Sequence, residues 1–211
     1  MPFAIDRYPR ARTALALALL ANTLVCAGEL LLGWHANSLA VLVDAVHNGG
    51  DELALLCLWL AAAGGRRAAQ LRAVANVLNT VGILLVALTI AGLALERLAA
   101  APAVAAELTL AAGLAAALGN AAVALALREA ARHDGSVRLA FLHNVGDVVL
   151  CLSTAGAGVA MLLTGHFWID AVLAFGVAAL LIAGAVRALP GLCRGAVDRV
   201  IDQMTSSSSL T

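Results

Sequence analysis

The stretches LVDAVHNGGDELAL (residues 42–55) and LAFLHNVGDVVLCL (residues 139–152) are apolar runs that each carry one His-x-x-x-Asp pair, His47/Asp51 and His143/Asp147. Residues four apart on a helix share a face one turn apart, so each pair turns an imidazole and a carboxylate in one direction. Ionisable side chains at membrane depth are costly and mark function by default. Two such helices brought face to face offer two nitrogens and two oxygens, a donor set suited to tetrahedral zinc.

The rest of the chain fits a membrane setting. It has 211 residues, 63% of them hydrophobic and 12% charged, more apolar surface than a soluble core of this size can hide. Runs of about 20 apolar residues place six spans at roughly 12–34, 39–63, 73–98, 104–128, 137–164 and 168–189. The first run follows Arg7, Arg10 and Arg12 like a signal peptide, but it continues to Trp34 and carries Asn22 and Glu29, which indicates a retained span. The expected architecture is an all-α membrane protein, a bundle of six transmembrane helices. Residues 1–11 form an N-terminal tail, 12–189 the bundle and 190–211 a short tail, with Pro190 and Gly191 expected to stop the sixth helix.

Orientation follows from the arginines, which supply all thirteen basic residues. Six spans with both termini inside put every arginine except Arg97 on the inner side, and the positive-inside rule makes both termini cytoplasmic. These arginines flank spans instead of forming a stripe, so no nucleic-acid surface is indicated. Cys26, Cys57, Cys151 and Cys193 lack CxxC spacing; three lie within spans and read as small apolar residues, and neither a disulfide framework nor a thiolate cluster is expected. Small residues (Gly113 with Ala117, Ala155 with Gly158, Gly28 with Gly33) permit close helix approach without specifying an interface.

Depth supports the paired motifs. Asp51 lies about 12 residues from the inner end of its span and Asp147 about 10–11 from the inner end of its own, so both carboxylates fall ~15–18 Å deep, near the midplane. Asp44 shares the face of His47 one turn further out, as an acceptor behind the imidazole or a stop on the outward path. Glu29 and Asn22 in span one orient neighbours or line that path. A third pair, His166/Asp170 around Trp168, sits at the mouth of span six, where headgroup-level histidine and tryptophan are common. His35 and His133 read as loop or interface residues.

These residues resemble a known family. ANSLAVLVDAVHNGGDELAL is similar to the second span of the cation diffusion facilitators, and VRLAFLHNVGDVVLCL to their fifth. Asn22, Glu29 to Gly33, Asn79, ERLAAAP (96–102) and Gly119-Asn120 support the resemblance, which covers residues ~12–190. It implies His47, Asp51, His143 and Asp147 as the central transport site, a histidine at position 47 going with zinc preference. Three departures stand out: Arg72-Ala73-Val74 where the family has Arg-x-Glu, Asp170-Ala171 where it has Asp-Pro, and no cytoplasmic metallochaperone-like domain after span six.

The resemblance implies a transporter, not an enzyme. It would export a divalent cation, Zn2+ first, by metal/proton antiport with alternating access, as a homodimer in a bacterial cytoplasmic (inner) membrane. An alternative class, an intramembrane metal-dependent hydrolase, needs an activated water and a general base such as the Glu of HExxH; the chain has no HExxH.

Overall fold

A computed structural model describes residues 9–62, 68–132 and 135–208. They form six α-helices: α1 (Pro9–Ala36), α2 (Leu39–Ala62), α3 (Ala68–Ala100), α4 (Ala106–Leu127), α5 (Gly135–Thr164) and α6 (Trp168–Ser208), with a 3-10 turn at Ala130–Arg132. Five contain a stretch long and apolar enough to cross a membrane: Ala16–Ala36, Thr80–Ala100, Ala106–Leu127, Phe141–Thr164 and Trp168–Gly191. The sixth, α2, carries Asp44, His47, Asp51 and Glu52 near its middle.

Residue size is sorted in the sense expected of a bundle in lipid. Large apolar side chains point outward, Leu118 at 74% and Leu163 at 81% exposure, while Ala18, Ala87, Ala94, Ala174 and Ala178 are fully buried. Between helices already surrounded by hydrocarbon, close backbone approach is what stabilises contact, and small residues provide it. The α4–α5 seam shows this directly. A Cβ on Gly113 would stand 2.5 Å from the Ala155 backbone nitrogen, and one on Gly158 would stand 2.6 Å from that of Leu110. Three of the small residues noted in the sequence, Gly113, Ala155 and Gly158, thus line one specific interface.

Helices α1, α2, α4 and α5 pack in sequence around one group, and α3 pairs with α6. Helix α2 belongs to both sets, touching α1 and α5 on one side and α3 and α6 on the other. A second apolar cluster joins them through Leu39, Ala40, Val43, Ala87, Ile90, Ala174 and Val177.

The start of α2 is fixed by several polar contacts. Helix α1 ends in a Schellman motif: Ser38 N–H donates to Gly33 O at 3.0 Å and Asn37 N–H to Trp34 O at 3.2 Å. Asn37 takes the left-handed conformation this requires, φ 54°. Arg97 of α3 donates to the Asn37 carbonyl at 2.6 Å and to its side-chain oxygen at 2.7 Å. Asp170 of α6 caps α2 from outside: it accepts from the Ser38 hydroxyl, from Leu39 N–H at 2.7 Å and from Ala40 N–H at 3.3 Å. Free N–H groups at a helix start attract an anion, and here a carboxylate from another helix satisfies them.

One expectation is corrected. Helix α6 does not stop at Pro190 and Gly191 but continues to Ser208 with Pro190 inside it. Proline removes one N–H, leaving the Val186 carbonyl without its helical donor. The apolar stretch ends at Gly191, one residue past the proline, so the break in the hydrogen-bond ladder falls in the last turns of the span.

Candidate metal site

Helices α2 and α5 run antiparallel and meet over a narrow area, with His47 set against Asp147. The His47 Nε2–Asp147 Oδ1 distance is 3.0 Å. His143, one turn before Asp147, places its Nε2 3.9 Å from Oδ2 of the same carboxylate. The two imidazole rings stand edge to face, 5.3 Å apart between centroids and inclined by 70°. One donor atom each from His47, His143 and Asp147 fall within 4.8 Å of one another. Two nitrogens and a carboxylate oxygen at that spacing are what a zinc-sized cation needs before small side-chain adjustment.

Exposure within the trio is graded. Asp147 is almost wholly buried, His47 is 12% exposed and His143 is 44% exposed. Both histidines line a cleft of about 410 Å³ bounded by Thr80 and Ile83 of α3, Leu150 of α5 and Val177, Leu181 and Ala185 of α6. The cleft therefore lies between the α3–α6 pair and the rest of the bundle, and it exposes imidazole at its base. Asp51 stands one turn after His47 on α2, but its side chain lies outside the described residues.

The other residues singled out in the sequence belong to a polar column where α1 packs against α2. Asn22 of α1 donates to the Asn48 carbonyl at 2.9 Å and to Glu52 Oε2 at 3.1 Å, and the Thr23 hydroxyl donates to Oε1 of the same carboxylate. Asn48 donates to Glu29 Oε2 at 2.6 Å. Glu29 and Asp44 are each 3% exposed. Asp44 faces the Cys151 thiol and the Glu29 carboxyl, and beyond those two its oxygens have no hydrogen-bond partner among the described residues. The three residues gather as one group.

Two members of this column were not legible as functional. Glu52 lies four residues after Asn48 and is held by α1, a contact that spacing along α2 alone does not reveal. Cys151 reads as a small apolar residue, yet Asn120 Nδ2 donates to its sulfur at 3.3 Å; its position four residues after Asp147 on the same face was the available signal. The third His-x-x-x-Asp pair does not assemble. Asp170 is committed to the α2 cap, and the His166 ring packs edge-on to Trp168 at 6.3 Å. His35 is exposed in the last turn of α1, and His133 lies outside the described residues.

Residues 15–189 match the family described as cation efflux transmembrane domain, a span that contains α2 to α5 whole together with most of α1 and the first half of α6. No curated protein matches the chain.

Proposed function

The chain belongs to the cation efflux family, the cation diffusion facilitators, whose members carry divalent metal cations through membranes; from that premise we propose that it exports Zn2+ from the cytoplasm in exchange for protons. A family of transporters gives no support to the intramembrane hydrolase reading. The observation that carries the proposal is the meeting of His47 of α2 with Asp147 and His143 of α5 at the foot of the α3–α6 cleft. Asp51, one turn along α2, is assigned as the fourth ligand.

Imidazole nitrogen with carboxylate oxygen suits zinc better than the all-oxygen sets of magnesium or calcium. Metal binding requires neutral imidazole and ionised carboxylate, so a cation arriving expels protons and protons arriving expel the cation. Moving one charge against the membrane potential costs ~2.3 kcal/mol per 100 mV. A dication therefore costs ~4.6 kcal/mol per 100 mV on export, and each proton entering in exchange offsets half of that. Helix α2 carries ligands and contacts both helix groups, so rocking of the α3–α6 pair against the others would expose the site alternately to the two sides. In this reading both termini face the cytoplasm, the membrane is the bacterial inner membrane, and two copies associate as a homodimer through their transmembrane faces.

Reconstitution into sealed proteoliposomes tests the transport claim. With a proton gradient imposed opposite to the zinc gradient, zinc flux and luminal pH should change together. Zinc movement that is indifferent to the proton gradient would refute exchange, and no movement of any divalent cation would refute the function. Crosslinking over a range of protein-to-lipid ratios should give a dimer; a monomer at every ratio would remove that part of the reading.

A further inference from the structure

One helical turn from the central site lies a second donor group with a different chemistry. From His47 to Asp44 is three residues along α2, ~4.5 Å of rise, and from Asp147 to Cys151 is four residues along α5, ~6 Å. The helices are antiparallel, so both steps lead toward the end of the bundle that holds Asn37 and Asp170. There Glu29 of α1, Asp44 and Cys151 each offer one donor atom, all within 4.8 Å of one another. All three residues are buried, at 3%, 3% and 0% exposure.

The surroundings support two of these donors with amides and leave the third facing only the other two. The Asn48 amide holds one oxygen of Glu29 and the Asn120 amide donates to the Cys151 sulfur. Outside Glu29 and Cys151, neither oxygen of Asp44 has a hydrogen-bond partner among the described residues, and the side-chain oxygens of Asn48 and Asn120 have none. Buried polar atoms are normally satisfied, and an unpaired one costs ~1–3 kcal/mol, more for a charged group. Two carboxylate oxygens that face only a thiol and a second carboxyl form a donor set of the kind a cation would draw together.

We infer that Glu29, Asp44 and Cys151 form a second metal-binding position, adjacent to the central site on the same pair of helices. It takes a thiophilic divalent ion such as Zn2+ or Cd2+, since a sulfur donor with two carboxylates selects against Mg2+, Ca2+ and Mn2+. Binding breaks the Cys151 S–H bond, forms a sulfur–metal bond and releases the proton, with no change of oxidation state. The inference rests on the reading of the chain as a divalent-cation carrier and adds a relay: an ion leaving the nitrogen-and-oxygen site has a sulfur-bearing stop one turn away.

Cobalt(II) titrated alone into the purified full chain tests this. The described central ligands include no sulfur, so a near-ultraviolet thiolate-to-cobalt charge-transfer band reports the second position. The band should appear in the unmodified chain and survive Cys26→Ser, because the Cys26 thiol is engaged with the Ala45 carbonyl at 3.3 Å. It should vanish in Cys151→Ser, and Asp44→Asn should weaken the affinity read from it by ~10-fold or more. The visible ligand-field bands of cobalt at the central site, retained in Cys151→Ser, show that the variant is folded. Absence of the sulfur band in the unmodified chain, its persistence in Cys151→Ser, or its loss in Asp147→Asn would overturn the inference. Zinc-edge X-ray absorption of zinc-loaded Asp147→Asn gives an independent reading: a sulfur neighbour is expected, and a shell of nitrogen and oxygen only would overturn the inference. If the band behaves as expected while the unmodified chain moves no cation, the transport reading fails and the second site stands.

Discussion

Asp170 and Asp44 are buried to nearly the same degree, at 1% and 3% exposure, and both act around α2, yet their surroundings are opposite. Asp170 accepts from the Ser38 hydroxyl and from the backbone N–H groups of Leu39 and Ala40, while Ser38 itself accepts from Val41 N–H at 3.2 Å. Asp44, little more than one turn into the same helix, faces only the Glu29 and Cys151 side chains and has no backbone or amide donor for either oxygen among the described residues. The α2 start uses its buried carboxylate to complete the fold. The α2 middle keeps one open. Because unsatisfied buried acceptors are rare and costly, the contrast separates a structural carboxylate from one kept available for a ligand.

Removing the satisfied carboxylate should have the largest effect on stability. Asp170→Ala strands two backbone N–H groups and a hydroxyl at a buried helix start, a loss of about 2–4 kcal/mol. Thermal unfolding in detergent should show a clearly lowered midpoint, with zinc transport per folded molecule retained. An unchanged midpoint would erase the distinction between the start of α2 and the position of Asp44.

Acidification addresses the middle of the helix alone. Binding at His47, His143 and Asp147 requires deprotonated donors, so metal affinity must fall as pH falls. From about pH 7.5 to about pH 5.5 the cobalt affinity of the purified chain should drop more than ~10-fold. A pH-independent affinity would contradict ligation through imidazole.

A narrower test concerns metal choice. His47→Asp replaces a nitrogen donor with oxygen and adds negative charge, which should raise cadmium or manganese transport relative to zinc by a few-fold. An unchanged ranking in a metal panel would remove His47 as a selectivity determinant. The smallest effect on stability belongs to Asp44→Asn. It replaces an uncompensated buried carboxylate with a neutral isostere, so stability should stay within ~1 kcal/mol or rise. A loss comparable to that of Asp170→Ala would mean that Asp44 is structural after all.

The parts of this arrangement differ in how legible they were. Five of the six helices follow from apolar length, because bilayer thickness sets that length and composition reports it. His47, His143 and Asp147 follow from a four-residue spacing that places donors on one helix face, and the structure brings these three together. Asp170 was less readable: its spacing from His166 imitates the other pairs, and only the packing of α6 against α2 shows it as a cap. Glu29 and Asp44 stood out as costly residues, but their meeting with Cys151 depends on α1, α2 and α5 converging, and cysteine in an apolar run carries no polar signal. The continuation of α6 past Pro190 escaped because the proline rule treats the break in isolation from its place in the last turns of the span.

The central claim is that the His47–His143–Asp147 group carries the cation across the membrane. Asp147→Asn tests it most directly, since the change keeps size and hydrogen-bonding capacity but removes the charge that His47 and His143 both face. Zinc flux into proteoliposomes should be measured side by side for the unmodified chain and this variant, each confirmed as folded by its unfolding midpoint. The account predicts a loss of at least ~100-fold, at or beyond the upper end of the 10–100-fold cost of losing a partner that merely supports a ligand. A folded Asp147→Asn variant transporting zinc at near the unmodified rate would contradict it.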